Sequence, residues 1–187
     1  MDCNYSHHKS VGRVIWITGL SGAGKSTIAG ATAKHLNKLG EFPVLIDGDE
    51  IREAIADPYI GHDPKSRLAN AYRISRLAKL FADQSHTVIV ATMSLFHEIH
   101  KWNRTNIANY FEVWVEVDLP TLKARDSRGL YSRAANQQEK YVAGIDNSYE
   151  RPLDPDLTLE NTGRPDSINK IVEQLIENTH RELIYEN

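Results

Sequence analysis

The chain has 187 residues, enough for one domain with a sizeable hydrophobic core. Its 22 basic and 25 acidic residues give a formal net charge of −3 without a basic tract, which argues against a nucleic acid polymer as partner. The single cysteine, Cys3, excludes an intrachain disulfide and a metal site built from cysteines. We expect a flexible leader at residues 1–10 and a single domain at residues 11–187. No apolar run approaches the roughly 20 residues that span a bilayer, so we expect a cytoplasmic protein without membrane contact.

The first predicted strand runs into a glycine-rich loop and then into a helix. Residues 13–18 are apolar enough for a buried strand, and residues 27–36 fit a helix that ends near Gly40. Between them, GLSGAGKS at residues 19–26 fits the phosphate-binding pattern G-x-x-x-x-G-K-[ST], the P-loop. Such a loop points successive N–H groups at an anion, at a helix N-terminus with partial positive charge. A glycine-rich turn without a ligand is the alternative, which the strand–loop–helix context disfavours.

The residues of this loop have distinct expected roles toward a nucleoside triphosphate. Lys25 is expected to reach the β- and γ-phosphates, and the Ser26 hydroxyl is expected to bind Mg²⁺. The residues predicted to bind the nucleotide here are Gly19, Ser21, Gly22, Ala23, Gly24, Lys25, Ser26 and Thr27.

A second buried strand is predicted at residues 43–46, and an acidic pair follows it. Asp47 and Asp49 are separated by one glycine, so both carboxylates can face the same crevice. Open α/β sheets bind their ligands beyond the carboxyl ends of the strands. The pair is therefore well placed to meet the hydroxyl group of a phosphate acceptor.

A helix is predicted at residues 66–81, with an apolar stripe of helical period. Arg67, Asn70 and Arg73 fall at three-residue spacing, close to one face of that helix. The alternative to a binding face is a solvated basic face.

Two more strands are predicted, at residues 87–92 and 111–117. In the second of these, apolar and acidic residues alternate, which predicts that one of its faces is less buried. His97 and His100 lie on the helix between the two strands. A hydrogen-bonded or solvent-exposed histidine pair is favoured over a metal site, because no third ligand of the right type is nearby.

The last part of the chain predicts a lid, a strand and a helix. Residues at about 126–148 are polar and poorly periodic, which favours a mobile lid with a short helix inside it. A final strand at 157–159 and an amphipathic helix at 165–184 complete the pattern. Strand and helix alternate about five times, which predicts an α/β protein. We expect the P-loop nucleoside triphosphate hydrolase fold, with a mostly parallel five-stranded sheet and helices on both faces.

Among P-loop proteins, three features favour a kinase. The chain is short, which leaves little room for motor machinery. It lacks the Asn-Lys-x-Asp run that selects guanine, and its D-x-x-G sequence at residues 126–129 is discounted as a switch because it follows a helix. The acidic pair of Asp47 and Asp49 is the third feature, since it is well placed to meet an acceptor hydroxyl.

The chain resembles the adenylylsulfate kinase (APS kinase) family. The matching stretches occur in family order, at residues 19–27, 47–52, 67–70, 125–131, 144–150 and 155–157. The resemblance implies that Mg²⁺ and ATP are used to phosphorylate the 3′-hydroxyl of adenylylsulfate, giving PAPS. It also implies a small-molecule nucleotide substrate and allows a homodimer.

The resemblance assigns further roles residue by residue. Lys25 is catalytic together with Asp47 and Asp49, either of which could serve the acceptor hydroxyl. Arg125 and Arg128 would bind ATP, Arg128 standing where the family usually has a lysine. The residues implied for the acceptor nucleotide are Asp49, Arg52, His62, Arg67, Asn70, Ser94, Gly144, Ile145 and Asp146.

Besides Arg128, the chain departs from the family pattern at Tyr72, where the family usually has an arginine, and at two further places. His62 stands where the family commonly has a phenylalanine that packs on adenine, and segment 92–104 keeps Ser94 but lacks the usual Ser-Pro-Tyr-Arg. That segment resembles APS-kinase-like enzymes of surface-polysaccharide pathways, some of which phosphorylate cytidine diphosphoramidate. A kinase of that nucleotide is the alternative function. A non-catalytic nucleotide-binding regulator is a third, disfavoured because Lys25, Ser26 and both aspartates are present.

Overall fold

The computed structural model of the chain describes residues 11–57, 61, 63–126, 128–164 and 167–185. The predicted leader and His62 therefore lie outside the described residues. In chain order the elements are β1 (Val14–Thr18), α1 (Lys25–Lys38), β2 (Val44–Asp47), α2 (Gly48–Ile55), α3 (Pro64–Ala82), β3 (Val88–Thr92), α4 (His97–Asn106), β4 (Tyr110–Glu116), α5 (Leu119–Arg125), α6 (Leu130–Ala135), β5 (Leu157–Glu160) and α7 (Ser167–Tyr185).

The five strands form one parallel sheet in the order β2-β3-β1-β4-β5. The last residue of β1, Thr18, is in register with Thr92 of β3 and with Trp114 of β4. Since all strands run the same way, the segments that follow them meet at one edge of the sheet. The predicted fold class, a parallel five-stranded α/β sheet, is confirmed.

Helices cover both faces of the sheet and bury two apolar layers. On one face, Ile15 and Ile17 of β1 belong to a cluster that includes Ile28 of α1 and Leu175 of α7. On the other face, Trp16 packs in a second cluster with residues of α3 and α4. Every residue of β1 is buried, because the strand has neighbours on both sides and both faces. This central position fixes the loop that follows β1.

The helix N-termini of the domain differ in how they are capped. Asp47, Asp63 and Asp118 cap α2, α3 and α5 by accepting a hydrogen bond from a backbone N–H group of the first turn. The N-cap of α1 is Gly24, which supplies no side-chain hydrogen bond. The first N–H groups of α1 therefore remain available to an anion.

Two local predictions are wrong. The second strand was predicted to be buried, but β2 lies at the edge of the sheet and Leu45 is 42% exposed. Residues 111–117 were predicted to have one less buried face, but Glu112 of β4 is only 1% exposed. Its carboxylate is buried because it accepts hydrogen bonds from Tyr110 and Arg104. Over the described part of the chain, no helix has the length and apolar character that crossing a membrane requires.

Candidate active site

The P-loop lies between the carboxyl end of β1 and the first turn of α1. Gly22 and Gly24 have φ angles of 78° and 95°, in the left-handed region that favours glycine. At Gly24 a side chain is also excluded by space, since a Cβ atom would lie 2.4 Å from Nδ2 of Asn161. The same Asn161 nitrogen donates to the Ala23 carbonyl at 2.8 Å. The loop is thus fixed from the end of β5, with Asn161 as its brace.

Lys25 is held against this loop as a poorly solvated cation. Its Nζ atom donates to the Leu20 carbonyl at 2.9 Å. Burial lowers the pKa of Lys25 to about 8, against the opposing effect of the carboxylates of Asp49 and Asp47. An anion beside Nζ would favour the charged form again. A bound phosphate would therefore stabilise the charged Lys25 ammonium.

Asp47 and Asp49 have different partners, although only one residue separates them. Asp47 accepts a hydrogen bond from Ser26 Oγ at 2.5 Å and one from the Asp49 N–H group at 2.9 Å. Asp49 instead accepts from Arg128 Nη1 at 2.5 Å. Gly48 allows this turn to approach β3, since a Cβ atom there would lie 2.9 Å from Thr92 Oγ1. Asp47 therefore faces the P-loop, and Asp49 faces the segment after α5.

The Ser26 hydroxyl and the Asp47 carboxylate form an oxygen donor set that fits Mg²⁺. Magnesium ions are commonly held by one or two protein oxygens, with waters and substrate phosphates completing the octahedron. Among the residues that the structure describes, no group of three or more His, Cys, Asp or Glu side chains could hold a metal ion. The donors present thus fit a magnesium ion that binds together with a phosphate.

The segment after α5 is attached directly to the P-loop. The Tyr131 hydroxyl of α6 donates to the Ser21 carbonyl at 2.8 Å, and the Tyr131 side chain is buried. Asp126 accepts from the N–H groups of Tyr131 and Ser132 at 2.9 and 3.0 Å, so it satisfies two first-turn N–H groups of α6, whose N-cap residue is Gly129. The Asp and Gly of the D-x-x-G sequence thus both serve the start of α6. Arg128, in the same segment, pairs with Asp49.

One cavity of about 540 Å³ joins the P-loop to the ends of β2 and β3 and to α3. The predicted site residues that line it are Ser21, Gly22, Gly24, Lys25, Ser26, Thr27, Asp47, Asp49, Arg52, Arg67, Asn70, Ser94 and Arg128. Those that do not line it are Gly19, Ala23, Arg125, Gly144, Ile145 and Asp146. His62 is not among the described residues.

Two groups of predicted residues lie beside the cavity instead of in its wall. Arg125 donates to the Asn161 carbonyl at 2.7 Å and packs against Gly163. The Asp146 carboxylate accepts from the N–H groups of Tyr141 and Val142 at 2.8 and 2.5 Å, so it shapes its own turn. The cavity is lined by the residues on either side of positions 144–146.

The end of the cavity formed by α2 and the first turns of α3 is basic. Arg52 of α2 donates to the Gly61 carbonyl at 2.9 Å. Burial, with the nearby Arg52 charge as a second cause, lowers the pKa of Arg67. Asn70 is only 4% exposed, and its Oδ1 atom has no hydrogen-bond partner among the described residues. Two guanidinium groups and a free amide oxygen suit a ligand that carries both an anion and a hydrogen-bond donor.

Several lining residues have no role in the sequence-based prediction. They are mainly Thr92 at the end of β3, Met93 and Phe96 after it, Tyr131 and Arg133 of α6, Glu139, and Asn147, Ser148 and Tyr149. The position of Thr92–Phe96 beyond the end of a strand was a usable signal. Tyr131 belongs to the Gly-Leu-Tyr stretch of the resemblance, but only its packing shows which carbonyl it binds.

His100 and Glu112 form a buried pair behind Ser94. The His100 ring is 5% exposed, and its Nε2 atom donates to the Ser94 carbonyl at 3.0 Å. Its Nδ1 atom lies 3.8 Å from Glu112 Oε1. Burial lowers the pKa of His100 to about 4, and the Ser94 hydrogen bond opposes this only in part. Burial likewise raises the pKa of Glu112, so both groups are pushed toward their neutral forms.

We expect His100 to remain neutral in the folded protein well below its ordinary pKa of about 6.5. Between about pH 6.5 and about pH 4, the unfolded chain binds a proton at this residue that the folded chain does not, so this group lowers stability as the pH falls. The ring C2 proton of His100, assigned by its loss in His100→Gln, is expected to keep its NMR shift from about pH 8 to about pH 5.5. A titration midpoint near the ordinary value would contradict the burial argument.

Comparisons with a family model and with individual proteins point to the same family. The family model described as Adenylylsulphate kinase matches residues 11–160. The adenylyl-sulfate kinase of Bacillus licheniformis is 38% identical over 178 residues, covering 93% of this chain and 89% of that protein. The cytidine diphosphoramidate kinase of Campylobacter jejuni is 36% identical over 158 residues, covering 84% of this chain and 91% of that protein.

A solved structure gives the same result in three dimensions. The APS kinase CysC of Mycobacterium tuberculosis, in complex with AMPPNP and APS, superposes with a TM-score of 0.83 at 33% identity. The match covers 90% of this chain and 98% of that one.

Proposed function

The chain belongs to the adenylylsulfate kinase family, a family of phosphotransferases, and on that premise we propose that it phosphorylates the 3′-hydroxyl of adenylylsulfate with ATP. The products are ADP and PAPS. One observation supports this best: Asp47 and Asp49 line a single cavity that has the P-loop at one end and Arg52, Arg67 and Asn70 at the other. A donor phosphate and an acceptor hydroxyl can therefore meet beside the acidic pair.

The donor end would bind the triphosphate of ATP. The N–H groups of residues 19–26 and the Lys25 ammonium would hold the β- and γ-phosphates. Ser26 and Asp47 would hold Mg²⁺, which when bound supplies neutralising charge to the phosphate oxygens. Arg125, bonded to the backbone carbonyl of the P-loop brace Asn161, is the proposed contact for the rest of the ATP molecule.

The reaction would proceed between Asp49 and the γ-phosphate. The acceptor oxygen forms a bond to the γ-phosphorus while the bond from that phosphorus to the bridging oxygen of ADP breaks. Asp49 orients the hydroxyl and takes its proton, because Asp47 is already committed to Ser26. As the acceptor enters, Arg128 would leave Asp49 and contact the phosphates of ATP instead. Positioning and charge neutralisation are what phosphoryl transfer mainly requires.

The acceptor end would recognise a nucleotide that carries a second anion. Arg52 and Arg67 would bind that anion, and Asn70 Oδ1 would accept a hydrogen bond from the nucleotide. Ser94 and the backbone near positions 144–146 would line the space for the base. Residues 126–148 are proposed as the lid, which packs on the P-loop through Tyr131.

A second acceptor, cytidine diphosphoramidate, has its own support. A relative with that activity in its name matches this chain about as well as the adenylyl-sulfate kinases do. The segment after β3 lines the cavity and is also where the chain leaves the common family pattern. A pyrimidine nucleotide with a phosphoramidate would meet the same basic end.

The two acceptors are separated by steady-state kinetics with Mg-ATP, measured as acceptor-dependent ADP release. We expect kcat/KM for adenylylsulfate to exceed that for cytidine diphosphoramidate by about tenfold or more, since a pocket that hydrogen-bonds one base rejects another strongly. The reverse order would identify cytidine diphosphoramidate as the preferred acceptor. Absence of acceptor-dependent ADP with both nucleotides would overturn the proposal.

A further inference from the structure

We propose that His97 and His100 are positioning residues that clamp the two walls of the acceptor half of the cavity together. One wall is segment 93–96 after β3, and the other is segment 148–151 after the lid. Both segments contain cavity-lining residues, Phe96 in the first and Tyr149 in the second. Neither histidine lines the cavity, so each would act through the residues it holds.

His100 attaches the first wall to the core of the sheet. Its ring donates to the Ser94 carbonyl at 3.0 Å and lies beside the buried Glu112 of β4. Glu112 is itself fixed by the Tyr110 hydroxyl at 2.9 Å and by Arg104 at 3.3 Å. The Ser94 carbonyl is therefore held by a chain of contacts that ends on a central strand.

His97 attaches the first wall to the second. Its backbone N–H group donates to Glu150 Oε2 at 2.5 Å, and its ring Nε2 atom donates to the Arg151 carbonyl at 2.8 Å. The Glu150 N–H group in turn donates to the Leu95 carbonyl at 3.3 Å. Three hydrogen bonds thus join two segments that are more than fifty residues apart in the sequence.

The second wall is also anchored beyond the histidines. Asp156 accepts two hydrogen bonds of 3.1 Å from Arg104 and one of 2.6 Å from the Glu112 N–H group. Arg151 pairs with Glu116 at 2.8 Å. Segment 151–156 is therefore fixed on α4 and β4, and the clamp has a rigid base.

The spacing of the two histidines explains why they can act together. Positions three apart share one face of a helix, and the two ring centroids are 6.5 Å apart. One ring reaches inward to Ser94 and the other outward to Arg151. The His97 ring thus supplies one of the three hydrogen bonds between the walls, and the His100 ring fixes the first wall to β4. Small displacements of a bound reactant are costly, and an error of about 1 Å can cost roughly 10²-fold in rate.

The kinetic test compares His97→Ala, His100→Ala and His100→Gln, with His86→Ala as control. His86 is exposed at the amino end of β3, away from the cavity. Loss of one hydrogen bond is expected to raise KM for the acceptor about three- to tenfold in both alanine variants, with KM for ATP unchanged. In His100→Gln the amide can donate to the Ser94 carbonyl, so KM for the acceptor should be closer to the wild-type value. An unchanged ratio of the two KM values, with only a lower melting temperature, would overturn the clamp.

This kinetic arm rests on the proposed function, so a second measurement uses the ligand-free protein. Amide hydrogen exchange at residues 94–97 and 148–151 is expected to accelerate together in His97→Ala, with no change at the P-loop. Acceleration in one segment alone would contradict the clamp. If wild type phosphorylates neither nucleotide, the proposed function fails and hydrogen exchange still decides the clamp.

Discussion

Replacing Lys25 by alanine is expected to lower the rate of phosphoryl transfer by roughly 10²- to 10³-fold, the cost of removing one preorganised charge from a developing transition state. The Nζ atom contacts only the Leu20 carbonyl among the hydrogen bonds described for it, so its loss removes little from the fold. Burial already lowers the pKa of this side chain to about 8, and a bound phosphate would add an anion beside Nζ that favours the charged ammonium. Turnover at saturating Mg-ATP and acceptor measures the effect.

Lys34→Ala is the matched control for this substitution. Lys34 lies on the same helix but is exposed to solvent. Its replacement should leave both turnover and the melting temperature near wild type. If Lys25→Ala retains near-normal turnover, the assignment of the P-loop to the transferred phosphate is wrong.

Replacing Asp49 by asparagine is expected to lower the single-turnover rate by roughly 10²- to 10⁴-fold, the usual contribution of a general base. This loss should not respond to added Mg²⁺, because Asp49 faces Arg128 and not Ser26. Asp47→Asn should behave differently. Since Asp47 accepts from Ser26 Oγ, its replacement should raise the Mg²⁺ concentration required for half-maximal rate. Rapid quench measurements across a Mg²⁺ series distinguish the two.

The opposite pattern would exchange the roles of the two carboxylates. If Asp47→Asn cannot be rescued by Mg²⁺ while Asp49→Asn can, then Asp47 serves the hydroxyl. Asp83→Asn is a suitable control, since Asp83 pairs with Lys79 on the surface near the end of α3. The sequence alone leaves this choice open, because the two carboxylates have the same chemistry. Their hydrogen-bond partners provide the first physical distinction between them.

The fold was predictable from the sequence because its main signals are local. Apolar runs such as residues 13–18 and 87–92 mark strands that are buried on both faces, and these are β1 and β3. The edge position of β2 was not predictable, because its apolar composition resembles that of a central strand. Strand order depends on how the crossover helices pack, which no local window of sequence contains.

The burial of Glu112 was missed for a related reason. An acidic residue that alternates with apolar ones normally faces solvent, and the pattern predicted that here. The partners that allow its burial are Tyr110, two residues away, and Arg104, on the preceding helix. Periodicity carries no information on such tertiary pairing. The same limit hid the contact of His100 with the Ser94 carbonyl.

Only part of the candidate site was predicted from the sequence. The residues that line the P-loop end of the cavity were predicted more completely than those at the other end. The P-loop and the acidic pair are short motifs that can be recognised in the sequence. Their residues line one cavity in the structure. The position of α6 depends on packing, and its buried Tyr131 and cavity-lining Arg133 were not assigned beforehand. The proposed acceptor half is assembled from α2, α3, the end of β3 and segment 147–149, which no single motif spans.

The proposed kinase activity is tested by identifying, with ³¹P NMR, the product made from Mg-ATP and adenylylsulfate. We predict that ADP forms together with a nucleotide whose new phosphomonoester signal couples to the proton on its 3′-carbon. Formation of ADP and inorganic phosphate alone, with adenylylsulfate unchanged, would contradict it.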